Sequence, residues 1–395
     1  MGATKVTIQK TFSHFFEGAT LSPDMWHGSF NGRESSIQQL SPYVGKMKSG
    51  MARSIILAYS RPGNVVLDPF SGSGVVPYEA AILGRNAIGN DLNPYAYVLS
   101  QAKLTAPRTI DEALGRLERH LGVMERTKKD VDLDSVPAWV REFFHPDTLR
   151  EALALFKGLR GEDDYFLEAC FLGILHHVRP GFLSYPSSHL VPYLRVKKYP
   201  PSQYPEMYAY RDVRSRMVAK VQRAFRRAPG VSSALHLRCL SENSMYLPGV
   251  RDGEVDLIAS SPPYYGALDY GRDNRLRLWF IGVEDYKEVD AKLTSNERVY
   301  VSQMTECIKT FFRVLRPGGY MALVLGDYHR NGRRMDSADT IAHIVEDEFG
   351  SQFPLVDSLV DEVPDDRRTR RKTRTTLAEQ IIVFRKASVS LEVSF

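Results

Sequence analysis

Two short segments hold the residues whose types and spacing can do chemistry. The first is Asp68-Pro69-Phe70-Ser71-Gly72-Ser73-Gly74, directly after the apolar run Val65–Leu67 and directly before an alanine-rich stretch. Glycines between a strand and a helix let the backbone approach a ligand closely, and the helix N-terminus favours a negative group. Asp91 follows Gly72 by 19 residues, at the end of the next strand-like run, where a carboxylate can accept hydrogen bonds from both hydroxyls of a ribose. Turn and carboxylate together call for a nucleoside-bearing cofactor. A dinucleotide would want a third glycine at position 77, and that position is Pro77. The second segment, Ser261-Pro262-Pro263-Tyr264, ends the apolar run Val255–Ser260. Consecutive prolines fix φ and remove two backbone donors, which leaves their carbonyls free to accept.

The Ser261 hydroxyl and Pro262 carbonyl can take both hydrogens of an exocyclic amine, while the flat face of Tyr264 holds the ring that bears it. The lone pair of an aromatic amine is delocalised into the ring, so it is a poor nucleophile. Two acceptors draw the nitrogen towards tetrahedral geometry and stabilise the positive charge that develops during attack. Taken singly, a Gly-x-Gly also starts ordinary helices and a diproline also ends ordinary strands. Their joint occurrence carries the reading.

The elements that must position these segments follow from periodicity. Strand-like runs occur at Val65–Leu67, Asn86–Gly89, His236–Cys239, Val255–Ala259, Tyr320–Leu325, Leu355–Val363 and Ile381–Phe384. Helical spacing is read around Met47–Ile56, Tyr78–Leu83, Ser302–Leu315 and Ser337–Phe349, and in a second helix that ends near Lys103. Strand alternating with helix implies a parallel α/β sheet with crossover helices. Residues 106–233 instead read as mainly helical, so the expected organisation is an N-terminal extension over 1–40, an α/β domain over 41–105 and 234–395, and a helical insertion between its two parts. One low-complexity run stands out, Arg367-Arg368-Thr369-Arg370-Arg371-Lys372-Thr373-Arg374, with six basic residues in eight.

These motifs resemble the S-adenosylmethionine-dependent amino-methyltransferases of DNA, which modify the exocyclic nitrogen of cytosine or adenine. The resemblance covers 41–105 and 234–386. It implies a Rossmann-like sheet, mostly parallel with its last strand antiparallel, and S-adenosylmethionine held by Asp68, Phe70, Gly72, Gly74 and Asp91. The segment Tyr43-Val44-Gly45-Lys46-Met47 is similar to the motif that closes over the methionine end of the cofactor, which adds Tyr43 and Lys46. Asn243 falls where the family has a polar contact to the adenine. Ser261, Pro262, Pro263 and Tyr264 are the implied catalytic residues. Serine before Pro-Pro-Tyr is similar to the cytosine-N4 enzymes, whereas the adenine-N6 enzymes usually have Asp or Asn there. The insertion precedes the third strand, a departure from the family order in which target recognition follows it. The alternatives are the same chemistry on adenine N6 or on RNA, and a catalytically inactive DNA-binding protein that keeps the fold. The implied partners are DNA and a cognate restriction endonuclease or another defence-system component.

Other classes fit less well. The cysteines follow Ala169, Arg238 and Glu306, and none sits in the Pro-Cys turn that cytosine-C5 methylation needs. Only three cysteines occur, without a Cys-x-x-Cys pair, so neither a disulfide framework nor a zinc site is expected. His176 and His177 are adjacent rather than four apart on a helix, and no metal is called for. There is no run of roughly 18 apolar residues and no signal-peptide pattern at the N-terminus, so a cytoplasmic protein that does not enter a membrane is expected. The net charge of +5 is mild; distribution matters more. Arg272, Asn274, Arg275 and Arg277 after the Ser-Pro-Pro-Tyr turn, and Tyr204, Tyr208 and Tyr210 among Arg211, Arg214 and Arg216, are candidate nucleic-acid contacts, of which Arg272 and Arg275 are the ones assigned to DNA. The basic run lies in the loop after the penultimate strand, which in the resembled fold emerges at the sheet edge that carries both motifs. Replacing Arg367, Arg368 and Arg370 with Gln should weaken binding to DNA of any sequence and flatten the log–log salt dependence, by about 0.9 unit for each phosphate no longer neutralised. Titrations at several salt concentrations check this, and an unchanged slope with unchanged affinity refutes it.

Overall fold

The computed structural model describes residues 21, 23–27, 34–176, 182–184, 199–263, 270–290, 296–326, 328–330, 333–362 and 378–388. A seven-stranded sheet organises the α/β part. Its strands are β1 (Val65–Asp68), β2 (Asn86–Asn90), β3 (Leu237–Leu240), β4 (Val255–Ser260), β5 (Leu315–Gly326), β8 (Leu355–Glu362) and β9 (Ala378–Arg385), and their spatial order is β3-β2-β1-β4-β5-β9-β8. β1 through β5 run parallel, and β9 inserts antiparallel between β5 and β8. β6 (Tyr328–Arg330) and β7 (Arg333–Met335) form a small separate hairpin after β5, which periodicity did not anticipate. The mostly parallel sheet with an antiparallel last strand is the one the motifs imply.

Successive residues of β1 face opposite sides of the sheet, as the strand period of two requires. Val66 joins a core with Ala87, Leu257 and Ala322, and helix α1 (Ser49–Tyr59) closes it with Met51, Ile55 and Ile56. Leu67 joins the opposite core with Ile88, Ile258 and Leu323. That face is covered by helices α9 (Glu297–Val314) and α10 (Ser337–Phe349), through residues such as Phe311 and Ile341. A strand with both faces buried reads as a continuous apolar run, which is why Val65-Val66-Leu67 was legible. Helix α2 (Val75–Ile82) connects β1 to β2, and helix α3 (Pro94–Leu104) leaves β2.

Between α3 and β3 the chain forms a bundle of α4 (Ile110–Thr127), α5 (Pro146–Gly161), α6 (Tyr165–Leu175) and α7 (Val213–Ala224). Thr109 caps α4 by accepting from the Glu112 amide, and Ala113, Leu117, Leu121 and Met124 bury one face at helical spacing. α6 differs, because every residue from Phe166 to Leu175 is buried. It is the central helix of the bundle, packed by α3, α5 and α7. The bundle shares one continuous core with Tyr78 and Tyr95 of α2 and α3 and with Leu276 and Phe280 of α8 (Tyr270–Phe280). Among the described residues no helix is long and apolar enough to cross a membrane.

The tightest joint lies where α6 meets the segment leading to Tyr43. Glycine inside a helix costs about 1 kcal/mol relative to alanine, yet Gly173 lies in the last turn of α6, because a Cβ there would collide with the carbonyl oxygen of Leu40. Gly173→Ala should therefore lower stability by about 1–3 kcal/mol despite its better helix propensity, a change readable by urea denaturation. A gain in stability would show that Leu40 moves aside without cost.

Candidate active site

The order of strands reverses between β1 and β4, and open α/β sheets bind ligands at the carboxyl ends of strands at such a point. Both motifs lie there. Asp68 ends β1 and Ser260 ends β4, and the Ser260 hydroxyl donates to Asp68 Oδ1 at 2.6 Å. The Phe70 amide donates to the same oxygen at 3.2 Å. Asp68 is 3% exposed. Burial pushes its carboxyl up to about 7, against the pull of these two donors and with a further push from the Asp91 charge.

The glycine turn is held from several sides. Gly74 starts α2 in the left-handed region, φ 73°, and a Cβ there would sit 2.7 Å from Ser100 Cα of α3, so only glycine fits. The Gly72 amide donates to Asp91 Oδ2 at 2.8 Å, and the Asn93 amide donates to Oδ1 at 2.8 Å. The acidic partner therefore binds the glycine turn directly. Each of its oxygens keeps a further lone pair for a ligand hydroxyl. Burial raises the Asp91 carboxyl to about 6, and the two amides oppose that rise. Phe70 packs edge-on to Phe311 at 6.1 Å.

Tyr43 covers the turn. Its Cε1 lies 3.1 Å from where a Cβ on Gly72 would be, its ring stacks on Tyr270 at 5.9 Å, and it packs against Tyr95 at 5.9 Å. Tyr95 holds the neighbouring backbone by donating to the Pro42 carbonyl at 2.7 Å. Lys46 donates to the Gln38 carbonyl at 3.3 Å, and Asn243 accepts from the Met245 amide at 3.0 Å. Ser261, Pro262 and Pro263 follow β4 directly, with Pro262 buried. Tyr264 lies outside the described residues, as do His177 and the run Arg367, Arg368, Arg370, Arg371, Lys372 and Arg374. The anchors of that run are described: Glu362 pairs with Ala378, and the next residue, Glu379, pairs with Gly326 at the carboxyl end of β5.

The remaining cations divide. Arg272 is exposed, and its amide donates to Asp290 at 3.2 Å. The Arg275 guanidinium lies 4.9 Å over the Trp139 ring, whereas Asn274 and Arg277 are buried. In the bundle, Tyr208 bonds the Tyr199 carbonyl, Tyr210 bonds Glu151 and Arg214 pairs with Glu118. His176 meets Ser184 at 3.1 Å and the Phe143 ring at 5.3 Å, a packing role.

Pattern reading passed over two polar residues that build the site. Asn90 is fully buried and its amide donates to the carbonyls of Pro69 and Glu242, while Ser244 donates to Pro69 at 2.7 Å. They lock the glycine turn to the loop after β3. The available signal was a buried asparagine immediately before the strand-end carboxylate.

Residues 22–102 match the family model described as DNA methylase. The type II methyltransferase M.BsoBI of Geobacillus stearothermophilus is 21% identical over 370 residues, which is 82% of this chain and 69% of that protein. The type II methyltransferase M.MjaII of Methanocaldococcus jannaschii is 28% identical over 72 residues, 18% of this chain and 14% of that protein. Among solved structures, TrmN from Thermus thermophilus aligns with a TM-score of 0.35 at 12% identity, over 89% of this chain and 52% of that one. The strand order is that of a Rossmann-like α/β sheet. The matched segment and these relatives support an S-adenosylmethionine-dependent DNA amino-methyltransferase, with S-adenosylmethionine as the cofactor. The site fits that group: Gly74 leaves a turn no side chain could enter, and Ser73 Oγ is buried without a hydrogen-bond partner beside the start of α2.

Two elevated carboxyls make a stability prediction. The folded chain keeps Asp68 protonated to about 7, against an ordinary value of 3.8, so folding takes up a proton between those limits. Stability contributed by that proton is lost as pH rises through this window, and Asp91 acts in the same direction. Asp68→Asn keeps an acceptor for Ser260 but cannot ionise. It should be on the order of 2–4 kcal/mol more stable than the unsubstituted chain at pH 8, and equal to it near pH 4. Melting curves across this range check it, and a variant that is less stable at pH 8 refutes the desolvation account.

Proposed function

We propose that this protein transfers the methyl group of S-adenosylmethionine to the exocyclic N4 amine of a cytosine in DNA. One observation carries the reading. The Ser-Pro-Pro turn follows β4, at the switch point and across from the glycine turn, with the strand ends tied by Ser260 and Asp68 at 2.6 Å. Tyr43, Lys46, Asp68, Phe70, Gly72, Gly74, Asp91 and Asn243 are the residues proposed to hold the cofactor, and Ser73 adds a hydroxyl to that set. The cofactor supplies an electrophilic methyl group.

Everything else falls to the chain. A cytosine inside a duplex cannot reach the turn, so the target is flipped out of the stack. Its ring lies against Tyr264, and its amine donates to Ser261 and to the Pro262 carbonyl. Those acceptors stabilise the charge that grows on nitrogen, and the ring contact aligns the attack. Arg272, Arg275 and the basic run bear on the phosphates, and the helical bundle contributes to target recognition. Support for DNA comes from the matched family segment and from the type II relatives, whose class also suggests a cognate endonuclease as partner.

Digesting treated DNA to nucleosides and weighing the product tests the atom assigned. N4-methylcytosine is expected, whereas N6-methyladenine would move the target and leave the chemistry of the turn in place. Ser261→Ala and Tyr264→Ala should each cost about a hundredfold or more in transfer rate, with the dissociation constant for S-adenosylmethionine unchanged. Near-normal turnover in Ser261→Ala would leave the Pro262 carbonyl as the working acceptor.

A further inference from the structure

Arg277 was a candidate phosphate contact, but it is 5% exposed and points into the protein. It sits on α8, the first described helix after the Ser-Pro-Pro turn. Its guanidinium donates through Nε to the Leu172 carbonyl at 3.1 Å, through Nη2 to the His176 carbonyl at 2.6 Å and through Nη1 to Asn274 Oδ1 at 3.3 Å. The guanidinium carbon also lies 5.8 Å over the ring of Tyr95. Every one of these acceptors is neutral: two backbone carbonyls and a side-chain amide oxygen. Leu172 and His176 belong to the C-terminal end of α6, where the last helix carbonyls have no partner within the helix and a cation is favourable.

A buried charge is expensive without a counter-ion, and an apolar side chain of similar volume would fill the same space at lower cost. What the guanidinium adds is direction. Its fork fixes α8 against the end of α6, and its face meets Tyr95. Tyr95 in turn holds the Pro42 carbonyl and contacts the Ser41 hydroxyl at 2.6 Å, next to Tyr43. At its own N-terminus α8 presents Tyr270, which stacks on Tyr43 over Gly72. One helix is thus registered at one end on the segment covering the glycine turn and at the other on the bundle.

We propose that Arg277 is a positioning residue for methyl transfer: it sets the helix that follows the Ser-Pro-Pro turn in register with the Ser41–Tyr43 segment over the cofactor turn. The proposal rests on the reading of that turn as the base site. It requires a change in transfer rate that a merely structural contact would not produce, since small misplacement of reacting groups costs rate rather than affinity.

The test uses the full chain with Arg277→Met and Arg277→Lys, labelled S-adenosylmethionine, and genomic DNA from a host that lacks the modification. Circular dichroism identifies a temperature at which the variants and the unsubstituted chain are equally folded. There Arg277→Met should bind S-adenosylmethionine within about threefold of normal by calorimetry and keep its KM for DNA. Its single-turnover transfer should fall by about tenfold or more. Arg277→Lys, which restores the charge but only part of the fork, should recover part of that rate. Transfer within about twofold of normal in folded Arg277→Met overturns the proposal and leaves a stabilising contact only. If Arg277→Met does not fold, Arg277→Lys decides: a lowered melting temperature with a normal rate overturns the proposal, and a lowered rate with normal cofactor affinity supports it. Failure of the unsubstituted chain to methylate any DNA removes the base-site reading itself, and this proposal with it.

Discussion

The hydrogen bond from Ser260 to Asp68 joins the ends of the two strands between which the sheet changes direction. Much else depends on that point. To one side the chain turns through glycines into α2, and to the other it turns through two prolines towards α8. Neither turn is built like an ordinary loop. One relies on residues without side chains and the other on residues without amide hydrogens. The carboxylate between them is desolvated and sits near a second one, Asp91.

The bundle between α3 and β3 is not a module hung from the sheet domain. Its central helix presses on the carbonyl of Leu40 so closely that only glycine is tolerated at 173. Lys220 of α7 reaches the Gln39 carbonyl at 3.0 Å, and the backbones of Ser36 and Arg227 are bonded at 3.0 Å. The segment that covers the glycine turn is consequently held between the bundle and the cofactor site.

Residues 26 and 27 are fastened to β8. Trp26, His27 and Lys48 all reach the carboxylate of Asp361, at 2.8, 2.6 and 3.0 Å. Burial alone would raise that carboxyl, and the three donors instead hold it below the usual range. Asp361 lies near the end of β8, just before the basic run. Trp26, His27 and the N-cap residue of α1, Lys48, thus share one anchor on β8.

Local chemistry made much of this legible in the sequence. Val65-Val66-Leu67 had to be a buried strand, Ser337–Phe349 had to be a helix, and the glycine and diproline turns had to be breaks, because each depends on backbone preferences and periodicity that act over a few residues. Asp91 was legible for the same reason, as a carboxylate at a strand end. The sequence by itself also determined the sheet class, since alternating strands and helices lead to a mostly parallel arrangement. Tertiary structure alone decided the rest. Arg272 and Arg277 look alike in sequence, yet one is exposed and the other lies beneath the bundle, because burial depends on which helix end packs above each. Gly173 is required by Leu40, distant in sequence, which packs against it. Asp361 is met by Trp26, His27 and Lys48, which converge on it from the far end of the sequence. Such contacts join residues separated by as many as 335 positions, and no short-range pattern encodes a meeting that only the completed packing of the sheet creates.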